Sequence, residues 1–213
     1  MAPPRIVLPC VNTWSGLGEI GRFLAVLSPY WQMSGEVLLD FSSCQFLSAE
    51  GAALLATFKL RRGADERGTS IDWSTVPPDV YKQLGRWGLT QLYGREEYPW
   101  TDNAIPLFYQ ARLDPHELIA YTCTWVQAGR NMPVMTAPLA KEVQRSFCEL
   151  FLNVFQHADS PCGGVAIGQL YPNVRQVQIC VCDAGRGIAV EGYAVLVEIT
   201  GLVRCWERQR TTR

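Results

Sequence analysis

The chain has 213 residues, 48% of them hydrophobic and 18% charged, with a formal net charge of −1. That is ample apolar material for one large domain or two small ones. The scattered basic residues lack the electrostatic footprint of a nucleic-acid binder, and no apolar run is long enough for a bilayer span or an N-terminal secretory signal. Eight cysteines are dispersed without a C-x-x-C. The expectation is a cytoplasmic protein with reduced thiols, no nucleic-acid partner and no membrane association.

In chain order, residues 5–9, "RIVLP", predict a short strand and 16–29 a helix with apolar residues at helical spacing. "EVLLDFS" (36–42) predicts a strand, and Ser48 is placed to cap the following helix, 49–66, whose small and apolar residues recur with helical period. "TSIDW" (69–73) predicts a strand, and 76–89 a helix opened by prolines with Val80, Leu84 and Trp87 on one side. Strand alternating with helix implies an α/β layer architecture. Residues 94–106, rich in turn formers and charge, predict the connection between two domains, 1–98 and 99–213.

Beyond it, "LFYQARL" predicts a strand and 114–128 a helix with Asp114 as N-cap and Pro115 in its first position. A long helix over about 137–157, strands at 164–170 and 174–182, and a glycine turn at 184–187 complete the pattern. "CVCD" (180–183) alternates along the last strand, so its two thiols point the same way, toward one buried face rather than a metal.

Within the long helix, "ELFLNVFQH" (149–157) repeats a polar residue every fourth position: Glu149, Asn153 and His157. A step of four returns to nearly the same face, so these side chains form a stripe that is either a solvated edge or a site. Asp183 then ends a strand and is followed by "AGRGI". A carboxylate there accepts from a ligand amine, and the glycines let the backbone approach; alone, the same residues make a plain tight turn.

Together, E-x-x-x-N-x-x-x-H on a helix, a hairpin of roughly 25 residues, and D-x-G-x-G-I at a strand end resemble the GHKL ATPase domain of histidine kinases, anti-sigma-factor kinases, type II topoisomerases and Hsp90-type chaperones. The likeness covers about 137–188, including "HADSPCGGVAIGQLYP". It implies ATP and Mg²⁺ as cofactors and a sandwich with helices on one face of a mixed sheet. On the matching positions, Asn153 is the Mg²⁺ ligand, Glu149 the acid that takes a proton from water or a hydroxyl, and His157 lies near the phosphates. Asp183 accepts from the adenine amino group, with Gly185 and Gly187 in the turn beside the base. Mg²⁺ retains several waters, so one amide oxygen plus phosphates satisfies it. Metal binding by Glu149, Asn153 and His157 alone is a further reading, disfavoured because asparagine is a poor transition-metal ligand.

The family continues into a lid and a second G-x-G box, whereas this chain reads "AVEGYAVLVEITGLVRCWERQRTTR". The expectation is therefore a domain incomplete after about residue 188. Each hydrogen bond to phosphate that the clamp would make is worth about 1–3 kcal/mol, so without it phosphoryl transfer, which depends on positioning, suffers more than binding. In the first half, "VLLDFSSCQFLSAEG" (37–51) resembles the STAS domain of anti-sigma-factor antagonists, up to about residue 93. Aligned on that family's D-S-x-G loop, Ser48 occupies the aspartate position and Ala49 the phosphoacceptor, which lacks a hydroxyl. The combined resemblance implies an ATP-binding signalling regulator with a protein partner, and Ser/Thr kinase or ATPase activity if active. The alternative is a non-catalytic interaction module on a degenerate GHKL fold.

Overall fold

The computed structural model describes residues 2–12, 18–96, 103–126, 135–171, 173 and 176–185, and it is mixed α/β. Its first part alternates strand and helix: β1 (Arg5–Val7), α1 (Gly18–Leu27), β2 (Val37–Asp40), α2 (Ala49–Ala64), β3 (Thr69–Ile71), α3 (Pro78–Arg86) and a short α4 (Leu89–Leu92). The three strands form a parallel sheet in the order β1-β2-β3, as strands joined by helices must. Arg5 straps this sheet by ion pairs to Asp40 at 2.7 Å and Asp72 at 2.8 Å.

The helix expected over 76–89 stops at Arg86, because Gly88 adopts φ of +80° and restarts the chain as α4. Ser48 caps α2 as expected, its side chain accepting from the Gly51 N–H at 3.5 Å.

The second part comprises β4 (Ala104–Gln110), α5 (Pro115–Val126), α6 (Ala137–Asn153), β5 (Gly164–Tyr171) and β6 (Gln176–Asp183). Its described strands form an antiparallel sheet in the order β4-β5-β6, where the resemblance implied a mixed one. β4 starts inside the segment read as a connection. Ala104 and Ile105 are buried in different cores, and burial outweighs the turn-forming composition. Pro106, which has no N–H to donate, sits within the register shift between Ile105 and Phe108, and Leu107 N–H turns instead to the Trp87 carbonyl at 2.8 Å. Asp114 caps α5 as the sequence predicts, accepting from the His116 and Glu117 N–H groups at 2.8 and 3.2 Å.

Both faces of this second sheet are covered. Val165, Ile167, Cys180 and Cys182 face the core shared with α2, while Ala166, Ile179 and Val181 face the aromatic core of α5 and α6. The two thiols of "CVCD" thus share one buried face, as alternation requires. The resemblance placed helices on one face only; here the second face is occupied by α2, which is buried on nearly every side. Both β5 and β6 are therefore buried along nearly their whole length, Gln169 and Gln178 included. Among the described residues no helix is long and apolar enough to cross a membrane.

Candidate functional site

The site residues lie where α6 and β6 end. Along α6, Val143, Phe147 and Phe151 turn inward at spacings of four, and Phe147 and Phe151 stack at 6.0 Å between ring centroids. The opposite face carries Glu149, Asn153 and, beyond the helix, His157, all exposed. Glu149 has a neighbour on its own helix: Arg145 reaches its Oε1 at 3.3 Å while holding Glu142 at 2.7 Å. The acid one turn before Asn153 is consequently an exposed member of an acid–base–acid ladder.

The α-helical pattern ends at Asn153, short of the expected 157. Residues Val154–Ala158 form a π turn, after which Asp159 takes a left-handed conformation with φ of +52°. Widening the last turn directs the chain across the end of the sheet, and such turns recur at functional sites. Ser160 completes the crossing. Its Oγ donates to the Gly163 carbonyl at 2.6 Å and accepts from Ala184 N–H at 3.3 Å, tying the loop after α6 to the residue after Asp183.

Asp183 ends β6 opposite Gly164 and is only 5% exposed. Its Oδ1 accepts from Gly185 N–H at 2.7 Å, closing the turn on itself. Burial pushes the carboxyl above its ordinary value, and the Gly185 hydrogen bond opposes that shift in part. The turn also presses on the helix end. A Cβ built on Gly185 stands 1.9 Å from the Ala158 carbonyl oxygen, so only glycine allows this approach.

The far end of the π turn that follows Asn153, at Ala158, and the turn that carries Asp183 and Gly185 are thus packed directly together. Glu149, Asn153 and His157 all remain on the solvent side, and Gly187 lies outside the described residues. Sequence reasoning missed Ser160 and Ala158, which make the junction. The signal was the pair of small residues, Ala158 and Ser160, in "HADS", the counterpart of the glycines in "DAGRG".

Chemically, a buried carboxylate at a strand end suits an exocyclic amine, and an exposed amide oxygen such as that of Asn153 suits a hard cation that keeps its waters. The residues present therefore fit the adenine and Mg²⁺ contacts that the resemblance implies. Among the described residues no group of three or more His, Cys, Asp or Glu is gathered as a protein-only metal site needs.

No family model, curated protein or solved structure matches the chain.

Proposed function

We propose that the chain is an ATP-binding signalling regulator, with a STAS-like first part and a GHKL-like second part. The supporting observation is the buried Asp183 at the end of β6, in a turn packed on Ala158, which closes the π turn following Asn153. In this reading Asp183 accepts a hydrogen bond from the adenine amine and its self-closed turn excludes water from that bond. Asn153 offers its amide oxygen to Mg²⁺. Bound nucleotide would supply the phosphoryl group for any transfer or hydrolysis, and Glu149, relieved of Arg145, is the residue placed to accept a proton.

Calorimetry of the full chain with MgATP and MgADP tests this. Asp183→Asn reverses the polarity offered to the amine, and Asn153→Ala removes the amide; each is expected to weaken binding about tenfold or more, one hydrogen bond to a charged group being worth about 1.5–3 kcal/mol. Equal binding by wild type and both variants would rule out the pocket.

A second reading, a non-catalytic interaction module, is favoured by particular residues of the first part and of α6. Ala49 has no hydroxyl, and Ser48 is 1% exposed with its oxygen committed to the cap of α2, so neither residue serves as a phosphoswitch. Glu149 is held by Arg145. Partner capture that is unaffected by nucleotide, together with absent calorimetric binding, would select this reading.

A further inference from the structure

Cys10 and Cys44 are distant in sequence but meet where the chain after β1 runs beside the loop before α2. Val11 and Leu47 form a parallel bridge there, with Val11 N–H donating to the Phe46 carbonyl at 3.0 Å and Ser48 N–H to the Val11 carbonyl at 2.9 Å. That pairing seats Cys10 against the loop. Its thiol donates to the Ser43 carbonyl at 3.4 Å, and its sulfur accepts from the Gln45 N–H at 3.1 Å. Those two groups belong to the peptide units on either side of the Cys44 Cα, so the Cys10 sulfur lies directly against Cys44. Cys44 reaches back to the same pairing: its Sγ donates to the Phe46 carbonyl at 3.4 Å, the acceptor that Val11 N–H also uses.

The two side chains are both thiols in this structure, and they differ in access. Cys10 is half-buried, within reach of a small solute, whereas Cys44 is fully buried in the apolar core of the first part. Burial first, and then the charge of Cys10, push the Cys44 thiol up to about 12. A sulfur sealed in this way is closed to a reagent from outside. What it can reach is a disulfide already formed on Cys10.

We propose that Cys10 and Cys44 are a modification site, which a low-molecular-weight disulfide of the oxidised glutathione type converts into an intramolecular disulfide bond. Cys10, as the thiolate, attacks one sulfur of the small disulfide and displaces the other as a thiolate, leaving a mixed disulfide on Cys10. Cys44 then gives up its proton and attacks the Cys10 sulfur, and the second small thiolate leaves toward solvent. The two released thiolates take up the two protons, so the chain is oxidised by two electrons and the small disulfide is reduced to two thiols. Burial keeps the ionised fraction of Cys44 small. Two features offset this: the attack occurs within one folded chain, and the more basic sulfur is the stronger nucleophile once ionised. The bond would staple the chain after β1 to the loop that exposes Phe46, remote from the Asp183 turn.

The test incubates the reduced full chain with oxidised glutathione, quenches with acid, blocks remaining thiols with N-ethylmaleimide in denaturant, and maps tryptic peptides by mass spectrometry. Trypsin cuts after Arg5, Arg22 and Lys59, so peptides 6–22 and 23–59 carry Cys10 and Cys44 as their sole cysteines and the linkage is unambiguous. The expected product is these two peptides joined, from a chain of monomer mass, and released again by dithiothreitol. Cys44→Ala is expected to stop at a glutathione adduct on Cys10, and Cys10→Ser to leave Cys44 a thiol. Asp183→Asn is expected to form the bond as wild type does, which separates this site from the proposed nucleotide pocket. A urea midpoint checks that each variant is folded, and the wild-type map stands without them. The proposal is overturned by wild-type chains that keep Cys44 open to maleimide while Cys10 carries glutathione. It is equally overturned by linkage of Cys10 to another cysteine, or by the same yield of the joined peptides from urea-unfolded chain.

Discussion

Burial leaves the Asp183 carboxylate short of water, with the Gly185 N–H in partial compensation. Because the folded state raises its pKa, folded chains hold this proton more tightly than unfolded ones. The resulting stability is complete below the unfolded value of about 3.9 and is lost as pH rises through the raised folded value. At neutral pH the ionised group is therefore a liability to the fold. Asp183→Asn removes the charge and keeps an oxygen for Gly185, so it is expected to gain stability over wild type as pH rises from about 4 to 7. Urea unfolding across that range measures it, and a gap independent of pH would mean that the carboxylate is not desolvated. A residue that costs stability yet occupies the proposed base-binding position is the expected signature of a functional group. Asp40 behaves in the opposite sense. Hydrogen bonds from Ser42 and Arg5 hold it at about 2, so its contribution is lost only as pH falls below the carboxylate range toward that value.

At the scale of elements, α2 organises the molecule. Its small residues Ala49, Ala52, Ala53 and Ala56 are fully buried, which lets one helix lie between two sheets. Enlarging one of them forces backbone apart on both sides. Ala53→Leu is expected to cost about 1–3 kcal/mol despite a good helix propensity, read as a lower urea midpoint with unchanged slope. The position of α2 was legible in the sequence, as were its Ser48 cap, the Asp114 cap and the alternation in "CVCD", because each depends on neighbours close in the chain. Its double burial was not. A helix rich in alanine looks the same whether it covers one sheet or two. Arg62 is the sharpest instance: in "KLRRGADE" it reads as a solvated charge, yet it is fully buried. Its guanidinium donates to the carbonyls of Tyr30, Met33, Gly35 and Gly68, and to Thr69 Oγ1. The most distant of these partners, Tyr30, lies 32 residues back along the chain, so no local pattern announces the set. The π turn after Asn153 was likewise hidden, since nothing in "VFQHA" distinguishes one more α-helical turn from a wider one.

Across the whole molecule the first and second parts are joined by specific bonds as well as apolar packing. Trp87 bonds Gly168, Gln83 bonds Gln169, and Gln178 donates to the buried Glu50 of α2. Val165, Ile167, Cys180 and Cys182 belong to the same apolar core as Leu39, Phe58 and Leu84. Separating the parts would return this surface to water and strand several polar groups, so unfolding one part first is costly. A single transition is the expected result, with far-ultraviolet circular dichroism and tryptophan fluorescence giving coincident urea curves. Trp87→Phe keeps a ring in place but leaves the buried Gly168 carbonyl without its indole donor. Loss of that bond costs about 1–3 kcal/mol, and both probes should move together to lower urea. Two resolved transitions, with only the first shifted by Trp87→Phe, would instead make the parts independent folding units that merely touch. Coincidence would mean that a ligand bound to one part stabilises the whole chain, which is what the proposed regulatory function requires.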